Sequence, residues 1–490
     1  MKTTPDILLI KPGSQKQIYG QLSDFFLTAI EPPLWAAIIA GYLRGRSYGV
    51  EILDIEAENL GTDEAATAVR EISPRLAVIM VSGSNPSAST MNMTGAGVLA
   101  RRIREVAPET GIGMAGLHPT ALPRHTMETE TIDFLIQGEG FSTYPGLIDA
   151  LRHKTLPRNV PGLWFREDGF TRESTLPPLL TDLDSLPRPA WDMLPMNRYR
   201  AHNWHCFDTI ESRQPYAVLY TSLGCPFRCR FCCINALFGK NTIRYRSVES
   251  VIAEVDFLVQ TYGVRNLKLM DEMFTLNEDR VARLCDTLIH RNYNLNIWAY
   301  ARVNTVTPSM LEKMKRAGIN WLAYGFESGN QRVMDDVAKG FHTGRVRDVA
   351  AMTRDHGIHT CANFIFGLPE DDYESMNDTL SLMLEINAEW ANLYCAMAYP
   401  GSELFSLAKE NRWALPDTWE GYSQYARETK PLATRYLSGG QILSFRDYAF
   451  HACYQNPRYL NRIRRTFGNT TMEHIQKMVE IRLPRDHAEI

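Results

Sequence analysis

Two long stretches of this 490-residue chain alternate short apolar runs with segments of helical periodicity. The runs of the first stretch begin at residues 7–10 and end at 134–136, and those of the second begin at 216–220 and end at 390–396. Continuous apolar runs of this length predict parallel strands that are covered on both faces. The alternation therefore predicts an α/β protein with two separate parallel sheets.

The spacing of the runs divides the chain into four predicted segments. Residues 1–152 predict a doubly wound, Rossmann-like sheet, and residues 213–402 predict six strand–helix units in an open, partial (β/α)6 barrel of the TIM type. Between them, residues 153–212 form a proline-rich linker that includes a short predicted hairpin, because proline removes backbone donors and disfavours helix. Residues 403–490 have helical patterns and are expected to close the mouth of the barrel and shape a substrate pocket.

Composition excludes several classes of protein. The net charge is −4, which argues against a broad basic surface for nucleic acid. The sequence contains no run of 18 apolar residues, so no membrane span is predicted, and the N-terminus lacks the apolar core of a signal peptide. Nine cysteines, an odd number with one tight group, suit a reducing compartment, so we expect a cytoplasmic protein.

The tight group is Cys225-Pro-Phe-Arg-Cys229-Arg-Phe-Cys232. Three thiols at this spacing in one loop can converge on a metal centre, and three cysteinates suit an iron–sulfur cluster that leaves one iron open to a small molecule. Structural zinc is the alternative, but it would need a second cysteine pair that the sequence lacks. A disulfide is disfavoured in a reducing compartment. Cys233 is interpreted as a bystander.

This loop resembles the C-x3-C-x-aromatic-C signature of the radical S-adenosylmethionine (SAM) superfamily, with Phe231 at the aromatic position. The resemblance covers roughly residues 213–402. It implies a [4Fe–4S] cluster on Cys225, Cys229 and Cys232 whose open iron is chelated by the amino and carboxylate groups of SAM. Electron transfer would then cleave SAM to a 5′-deoxyadenosyl radical, with flavodoxin or ferredoxin as the external electron donor.

The same resemblance implies SAM contacts at successive strand ends, where barrel active sites lie. Asp271 and Glu272 would receive the amino group of SAM, and Arg302 would pair with its carboxylate. Glu327 would bind ribose hydroxyls or Arg302. The stretch from Asn363 resembles an adenine-contacting Gly-x-Ile-x-Gly-x-x-Glu motif with asparagine at its first position. The predicted SAM contacts are Phe231, Asp271, Glu272, Arg302, Glu327, Ser328, Asn363, Ile365 and Gly367.

Polar or glycine-rich loops follow the predicted strands of the first sheet, at residues 82–85, 116–120 and 137–140. Such loops bring backbone N–H groups close to a ligand. A dinucleotide is disfavoured, because no Gly-x-Gly-x-x-Gly follows the first strand.

A Pro-Pro-Leu helix start near residue 32, a Gly-x-His-Pro-Thr loop and a Gly-Glu-Gly loop resemble the cobalamin-binding domain that is fused to many radical SAM enzymes. The resemblance implies cobalamin contacts from Ser82, Gly116, His118, Gly138 and Glu139. The Asp-x-His-x-x-Gly signature of a cobalt-ligating histidine is absent, so His118 is not assumed to be an axial ligand of cobalt. It is equally expected to cap a turn or to contact the amides of the corrin. The alternative is an inherited sheet without a cofactor.

Together the two resemblances predict a cobalamin-dependent radical SAM methyltransferase. It would methylate an unactivated carbon of a small-molecule biosynthetic intermediate, with one SAM methylating cobalamin and a second supplying the radical. One alternative is a cyclase or oxidase without net methyl transfer, as in the anaerobic cyclase of chlorophyll synthesis. Another is a non-catalytic cobalamin or cluster carrier. Tetrapyrroles, isoprenoid lipids, antibiotic intermediates and peptides are the substrate classes considered.

Overall fold

The structure, a computed structural model, describes residues 4–13, 18–19, 22, 28–83 and 86–489. It confirms the α/β prediction: a doubly wound sheet precedes a six-stranded partial barrel, and helices follow. No helix within these described residues is both long and apolar enough to cross a membrane.

The first sheet has seven strands in the order β2-β1-β3-β4-β5-β6-β7. They are β1 (Ile7–Lys11), β2 (Val50–Asp54), β3 (Leu76–Val81), β4 (Gly111–Gly116), β5 (Phe134–Ile136), β6 (Leu163–Glu167) and β7 (Phe170–Glu173). The first five pair in parallel, whereas β6 and β7 form an antiparallel hairpin on β5. This hairpin was predicted in the linker, so the sheet extends beyond the predicted boundary at residue 152.

Helices cover both faces of this sheet. They are α1 (Leu34–Arg44), α2 (Ile55–Glu58), α3 (Thr62–Ile72), α4 (Met93–Val106), α5 (Leu117–Ala121), α6 (Pro123–Thr129) and α7 (Thr143–His153). Helix α1 is apolar on nearly all sides, and the linker covers its outer side. The backbone N–H of Ala190 donates to the carbonyl of Ala37 over 2.9 Å. A Cβ atom at Gly41 would lie 2.6 Å from the carbonyl oxygen of Arg188, so only glycine allows this approach.

The barrel strands run in the order β15-β14-β13-β12-β11-β8, all in parallel. They are β8 (Tyr216–Leu219), β11 (Asn266–Leu269), β12 (Asn296–Ala301), β13 (Ile319–Glu327), β14 (His359–Phe366) and β15 (Trp390–Cys395), with a small antiparallel pair of β9 (Ser222–Leu223) and β10 (Arg244–Tyr245). The helices are α8 (Asn235–Phe238), α9 (Val248–Tyr262), α10 (Glu278–Arg291), α11 (Pro308–Arg316), α12 (Gln331–Asp336), α13 (Gly344–Asp355) and α14 (Tyr373–Ile386). Because β8 and β15 do not pair, the barrel stays open.

The C-terminal region covers the open edge of β15. Its helices are α15 (Glu403–Glu410), α16 (Gly439–Tyr454), α17 (Pro457–Phe467) and α18 (Asn469–Glu480). Side chains of this region hydrogen-bond the edge backbone of β15: Tyr454 at Ala391, Arg446 at Leu393 and Gln424 at Cys395. These bonds satisfy backbone groups that an exposed edge strand would leave open to another chain.

Candidate active site

The cysteine loop begins directly after β9 and is held by backbone contacts on both sides. Gly224 has a φ of +91°, and a Cβ atom there would lie 2.3 Å from the carbonyl oxygen of Thr242. The N–H of Arg230 donates to the carbonyl of Val337, after α12, over 3.1 Å, and the N–H of Leu404 donates to the carbonyl of Arg230. The loop is therefore fixed between the barrel and the C-terminal region.

The three predicted cluster ligands, Cys225, Cys229 and Cys232, share the wall of one cavity and carry free thiols. Cys233 is buried and is not part of that wall. Among the described residues, no three histidine, cysteine, aspartate or glutamate side chains are grouped closely enough to hold a single metal ion. A four-iron cluster fits this donor set, since a cube binds each thiolate at a different corner.

The cavity measures about 890 Å³. Its walls come from the cysteine loop, the barrel interior, the C-terminal region, and Thr28 and Met91 of the first domain. The predicted SAM contacts that line it are Phe231, Glu272, Arg302, Glu327, Asn363 and Ile365. Asp271, Ser328 and Gly367 do not line it.

Asp271 and Glu272 are adjacent but face different surroundings. The Asp271 carboxylate is fully buried and accepts hydrogen bonds from the hydroxyls of Thr221 and Ser222 and from the backbone N–H of Thr221. Glu272 faces the cavity and accepts a 2.9 Å bond from the N–H of Gly224. Burial raises the pKa of the Glu272 carboxyl to about 8. Of the predicted pair, Glu272 is the residue placed to meet a ligand.

Ser328 and Gly367 shape the strand ends instead of facing the cavity. The hydroxyl of Ser328 is buried and lies 3.1 Å from the hydroxyl of Thr379. Gly367 has a φ of +82°, and its N–H donates to the carboxylate of Asp371 over 2.9 Å. Their predicted roles as SAM contacts stay predictions.

Arg302 places a buried cation beside the cysteine loop. Its Nη1 atom lies 3.7 Å from Sγ of Cys229, and its guanidinium stands 3.8 Å from the ring centroid of Phe227. A further bond from Nε to Asn304 fixes the side chain. A cation in this position stabilises negative charge on the thiolates or on a bound carboxylate.

Lys339 is a cavity residue that sequence analysis missed. Its Nζ donates to Oε1 of Glu327 over 2.5 Å, and both side chains are buried. Burial opposes the charge of Lys339, but the neighbouring carboxylate of Glu327 raises its pKa above the ordinary value. Gly325 makes room for the pair, since a Cβ atom there would lie 2.8 Å from Nζ.

Of the predicted cobalamin contacts, Gly116 is the last residue of β4 and His118 lies in α5, so a short helix replaces the predicted loop here. The φ of Gly116 is +132°, and a Cβ atom there would clash with the carbonyl of Val81. His118 is buried, with Nδ1 3.1 Å from the hydroxyl of Thr90, while Nε2 has no hydrogen-bond partner among the described residues. Burial lowers its pKa to about 3, so the ring is neutral. The ring of Trp419 stands 4.5 Å away, edge to face.

Ser82, Gly138 and Glu139 occupy the other loops of the same sheet edge. Ser82 is half-buried after β3, and the N–H of Gly138 donates to the hydroxyl of Thr120. Glu139 forms a buried ion pair with Arg244 of β10, 2.6 Å from Nη2. The five predicted cobalamin contacts lie outside the wall of the cysteine cavity, so these contacts stay predictions. This edge of the first sheet still fits a cofactor rich in amides, because the buried Nε2 of His118, which has no partner among the described residues, could hydrogen-bond an amide group.

Comparisons with known proteins identify both halves of the chain. The family model described as "Radical SAM superfamily" matches residues 219–383, and the "B12 binding domain" model matches residues 27–148. An uncharacterized methyltransferase of Pyrococcus horikoshii is 29% identical over 458 residues, 93% of each chain. An anaerobic magnesium-protoporphyrin IX monomethyl ester cyclase of Synechocystis sp. is 27% identical over 71% of this chain and 66% of its own. Hopanoid C-2 methylase of Rhodopseudomonas palustris is 23% identical over 83% of this chain and 70% of its own.

Two solved structures share the fold over nearly the whole chain. The radical SAM methyltransferase TsrM of Kitasatospora setae, with cobalamin and a [4Fe–4S] cluster bound, matches with a TM-score of 0.69 at 14% identity, covering 93% of this chain and 90% of its own. The cobalamin-dependent SAM radical enzyme OxsB, with aqua-cobalamin and SAM bound, matches with a TM-score of 0.65 at 15% identity, covering 97% and 72%. The two family models support the predicted cofactors, a [4Fe–4S] cluster with SAM and cobalamin. The chain therefore combines an N-terminal domain that matches the B12-binding model with a later domain that matches the radical SAM superfamily model.

Proposed function

We propose that this enzyme transfers a methyl group to an unactivated carbon of a small-molecule biosynthetic intermediate. One observation carries the proposal: a single cavity of about 890 Å³ takes walls from the cysteine loop and from Thr28 and Met91 of the first domain. When bound, the cluster with SAM supplies a hydrogen-abstracting radical and cobalamin supplies a transferable methyl group. A space bordered by both domains suits this chemistry, since the radical and the methyl donor must act on the same substrate.

The charged side chains of the cavity suit a ligand with an amino and a carboxylate group. Arg302 and Lys339 place two cations near Cys229, and Glu272 places a carboxyl group at the end of β11. An ammonium group beside Glu272 would favour the ionised carboxylate over the protonated form that burial alone favours. We therefore assign Glu272 to the amino group of SAM and the two cations to its carboxylate.

The barrel interior supplies a largely apolar surface for the substrate. Trp298, Tyr300, Tyr394 and Met270 line it, and burial raises the pKa of Tyr300 and Tyr394 far above the ordinary value, so both stay neutral phenols. An apolar, aromatic wall holds an apolar substrate by excluded surface.

Relatives support methyl transfer to carbon and also a second candidate. Hopanoid C-2 methylase and bacteriochlorophyllide d C-12(1)-methyltransferase are named as carbon methylases. Three similar proteins are named as anaerobic magnesium-protoporphyrin IX monomethyl ester cyclases. We therefore keep cyclisation without net methyl transfer as the alternative.

The test uses anaerobically reconstituted protein, methyl-labelled SAM, and an extract of the cells that make the protein. Methyl transfer should move label into an extract component and release S-adenosylhomocysteine and 5′-deoxyadenosine in equal amounts. A cyclase would release 5′-deoxyadenosine without labelled product. Absence of label with an intact cluster and bound cobalamin would contradict the proposal.

A matched pair of cysteine variants controls this assay. Cys229→Ala should abolish both products, whereas Cys233→Ala, which removes a buried thiol outside the cavity wall, should keep them. Reduced flavodoxin or ferredoxin should replace a chemical reductant if the proposed external donor is correct.

A further inference from the structure

One part of the cavity, called the β15 arm, lies along β15 and the C-terminal helices that cover its edge. Its walls come from β15, α16, α18 and the segment after α18. Apolar side chains of this arm are Trp390, Leu393, Phe450, Met478, Ile481 and Leu483. None of them belongs to the predicted contacts of SAM or cobalamin.

The charged groups that line this arm are unbalanced. Arg446 and Arg482 are cationic and Asp447 is anionic, while burial, aided by nearby Arg482, lowers the pKa of His451 and keeps its ring neutral. Asp447 is also bound by Arg485, whose Nε lies 3.0 Å from Oδ2. That second arginine compensates the only carboxylate among the described lining residues of the arm, so a net positive charge remains at its wall.

Arg446 has an unused donor in this wall. Its side chain is 95% buried; Nε donates to the carbonyl of Leu393 and Nη1 donates to Asp447 over 2.6 Å. Within the described part of the chain, Nη2 forms no hydrogen bond. Because Arg446 lines the cavity, an acidic ligand group there could accept a charge-assisted bond from Nη2.

The position of Arg446 sets how far such a group lies from the strand ends. Leu393 precedes Cys395, the last residue of β15, by two positions, which is about 7 Å along a strand. An acidic group bound to Arg446 would therefore lie within reach of the end of β15, and the apolar residues of the arm lie on both sides of it along the strand.

We propose that the β15 arm binds the apolar body of the substrate and that Arg446, with Arg482 at the rim, pairs with a carboxylate or phosphate on it. This inference rests on the proposed function, because it describes the substrate of the same cavity. It narrows the substrate to apolar acids and disfavours neutral hydrocarbons and polar antibiotic intermediates.

Ligand displacement tests the proposal without turnover. Dansyl-undecanoic acid, a fluorescent apolar acid, is bound to the reconstituted full chain and displaced by hexadecanoate, hexadecyl phosphate or hexadecanol. At least one of the two acids should displace the probe at about tenfold lower concentration than the neutral alcohol. The tighter acid identifies the group as carboxylate or phosphate. Equal potency of the alcohol and both acids would overturn the proposal.

Variants locate the bound acid. Arg446→Lys keeps the charge but loses the planar fork, and should weaken the preferred acid severalfold while leaving hexadecanol unchanged. Arg482→Gln removes an exposed cation and should weaken the acid by about threefold; Arg464→Gln on α17, also exposed, is the matched control and should change nothing. If Arg446→Lys does not fold, the proposal is still tested by the comparison of the two acids with hexadecanol and by the Arg482→Gln variant.

Failure of this proposal can be told apart from failure of the proposed function. Methyl label in a product, together with no preference for acids, would overturn the acidic subsite and leave methyl transfer standing. Strong acid preference that depends on Arg446 or Arg482, without labelled product, would leave the subsite and overturn methyl transfer.

Discussion

Replacing Lys339 with methionine should destabilise the barrel by about 3 kcal/mol, because it leaves the Glu327 carboxylate buried without its cation. The two side chains are 9% and 7% exposed, and their charged atoms are 2.5 Å apart. Methionine keeps the length and apolar stem of lysine, so the expected loss comes from the uncompensated charge and not from a cavity. The same change should weaken SAM binding if Lys339 contacts its carboxylate.

The assay is urea unfolding of the cluster-free protein, followed by tryptophan fluorescence. Four of the nine tryptophans, Trp204, Trp298, Trp321 and Trp390, pack together near the N-terminal ends of the barrel strands, so barrel unfolding contributes strongly to this signal. With a slope of about 3 kcal/mol/M, the midpoint should fall by roughly 1 M without a change in slope.

Two controls separate burial from the mere presence of an ion pair. The double variant Glu327→Gln with Lys339→Met should recover most of the loss, since no charge is left unpaired. Arg347→Met removes the partner of Glu385 in a pair whose side chains are 49% and 53% exposed, and should cost less than about 1 kcal/mol. If Lys339→Met costs no more than Arg347→Met, the interpretation of a dry, paired site is wrong.

Three further predictions concern the cluster, the domain contact and acid stability. Cys229→Ala should lose bound iron and its brown absorbance, measured anaerobically, whereas Cys233→Ala should retain both. Arg244→Met should lower thermal stability by about 3 kcal/mol in calorimetry by leaving Glu139 unpaired, and an unchanged transition would contradict a buried pair. Between pH 7 and pH 5, the free energy of unfolding of the wild type should fall by up to about 2 kcal/mol relative to that of His118→Gln. The reason is that His118 gains a proton near pH 6.5 in the unfolded chain but only near pH 3 in the folded protein. A difference in urea unfolding that does not change with pH would refute this.

The element pattern could be predicted closely because it depends on local signals. Continuous apolar runs gave the strands, and residues such as Ser247 and Asp372, whose side chains cap α9 and α14, stand where the periodic segments begin. The β6–β7 hairpin could also be predicted from the sequence, but its pairing with the first sheet could not. Its partner, β5, lies more than 25 residues earlier, and local periodicity carries no information on such pairing.

The candidate site was predictable where residues lie close together in the sequence, and less so where side-chain direction decides. The three cysteines share one loop, so their spacing already indicates a common wall. Asp271 and Glu272 follow the end of β11, and only the three-dimensional turn shows that the first is buried in hydroxyls while the second faces the cavity. Lys339 lies in a non-periodic loop after α12, where no helix or strand pattern predicts its direction.

The Gly-Glu-Gly loop shows how the two cofactor domains are coupled through hydrogen bonds. Gly138 and Gly140 have φ values of +76° and +83°, a geometry that suits glycine, and the residue between them, Glu139, pairs with Arg244. Arg244 lies on β10 and is in register with Leu223 of β9, two residues before Cys225, the first of the three predicted cluster ligands. One ion pair, followed by one pairing of two strands, thus connects this loop of the B12-binding domain to the cysteine loop. Because both links are short and buried or backbone-bonded, a shift of this loop on the cobalamin side should be transmitted to the cysteines.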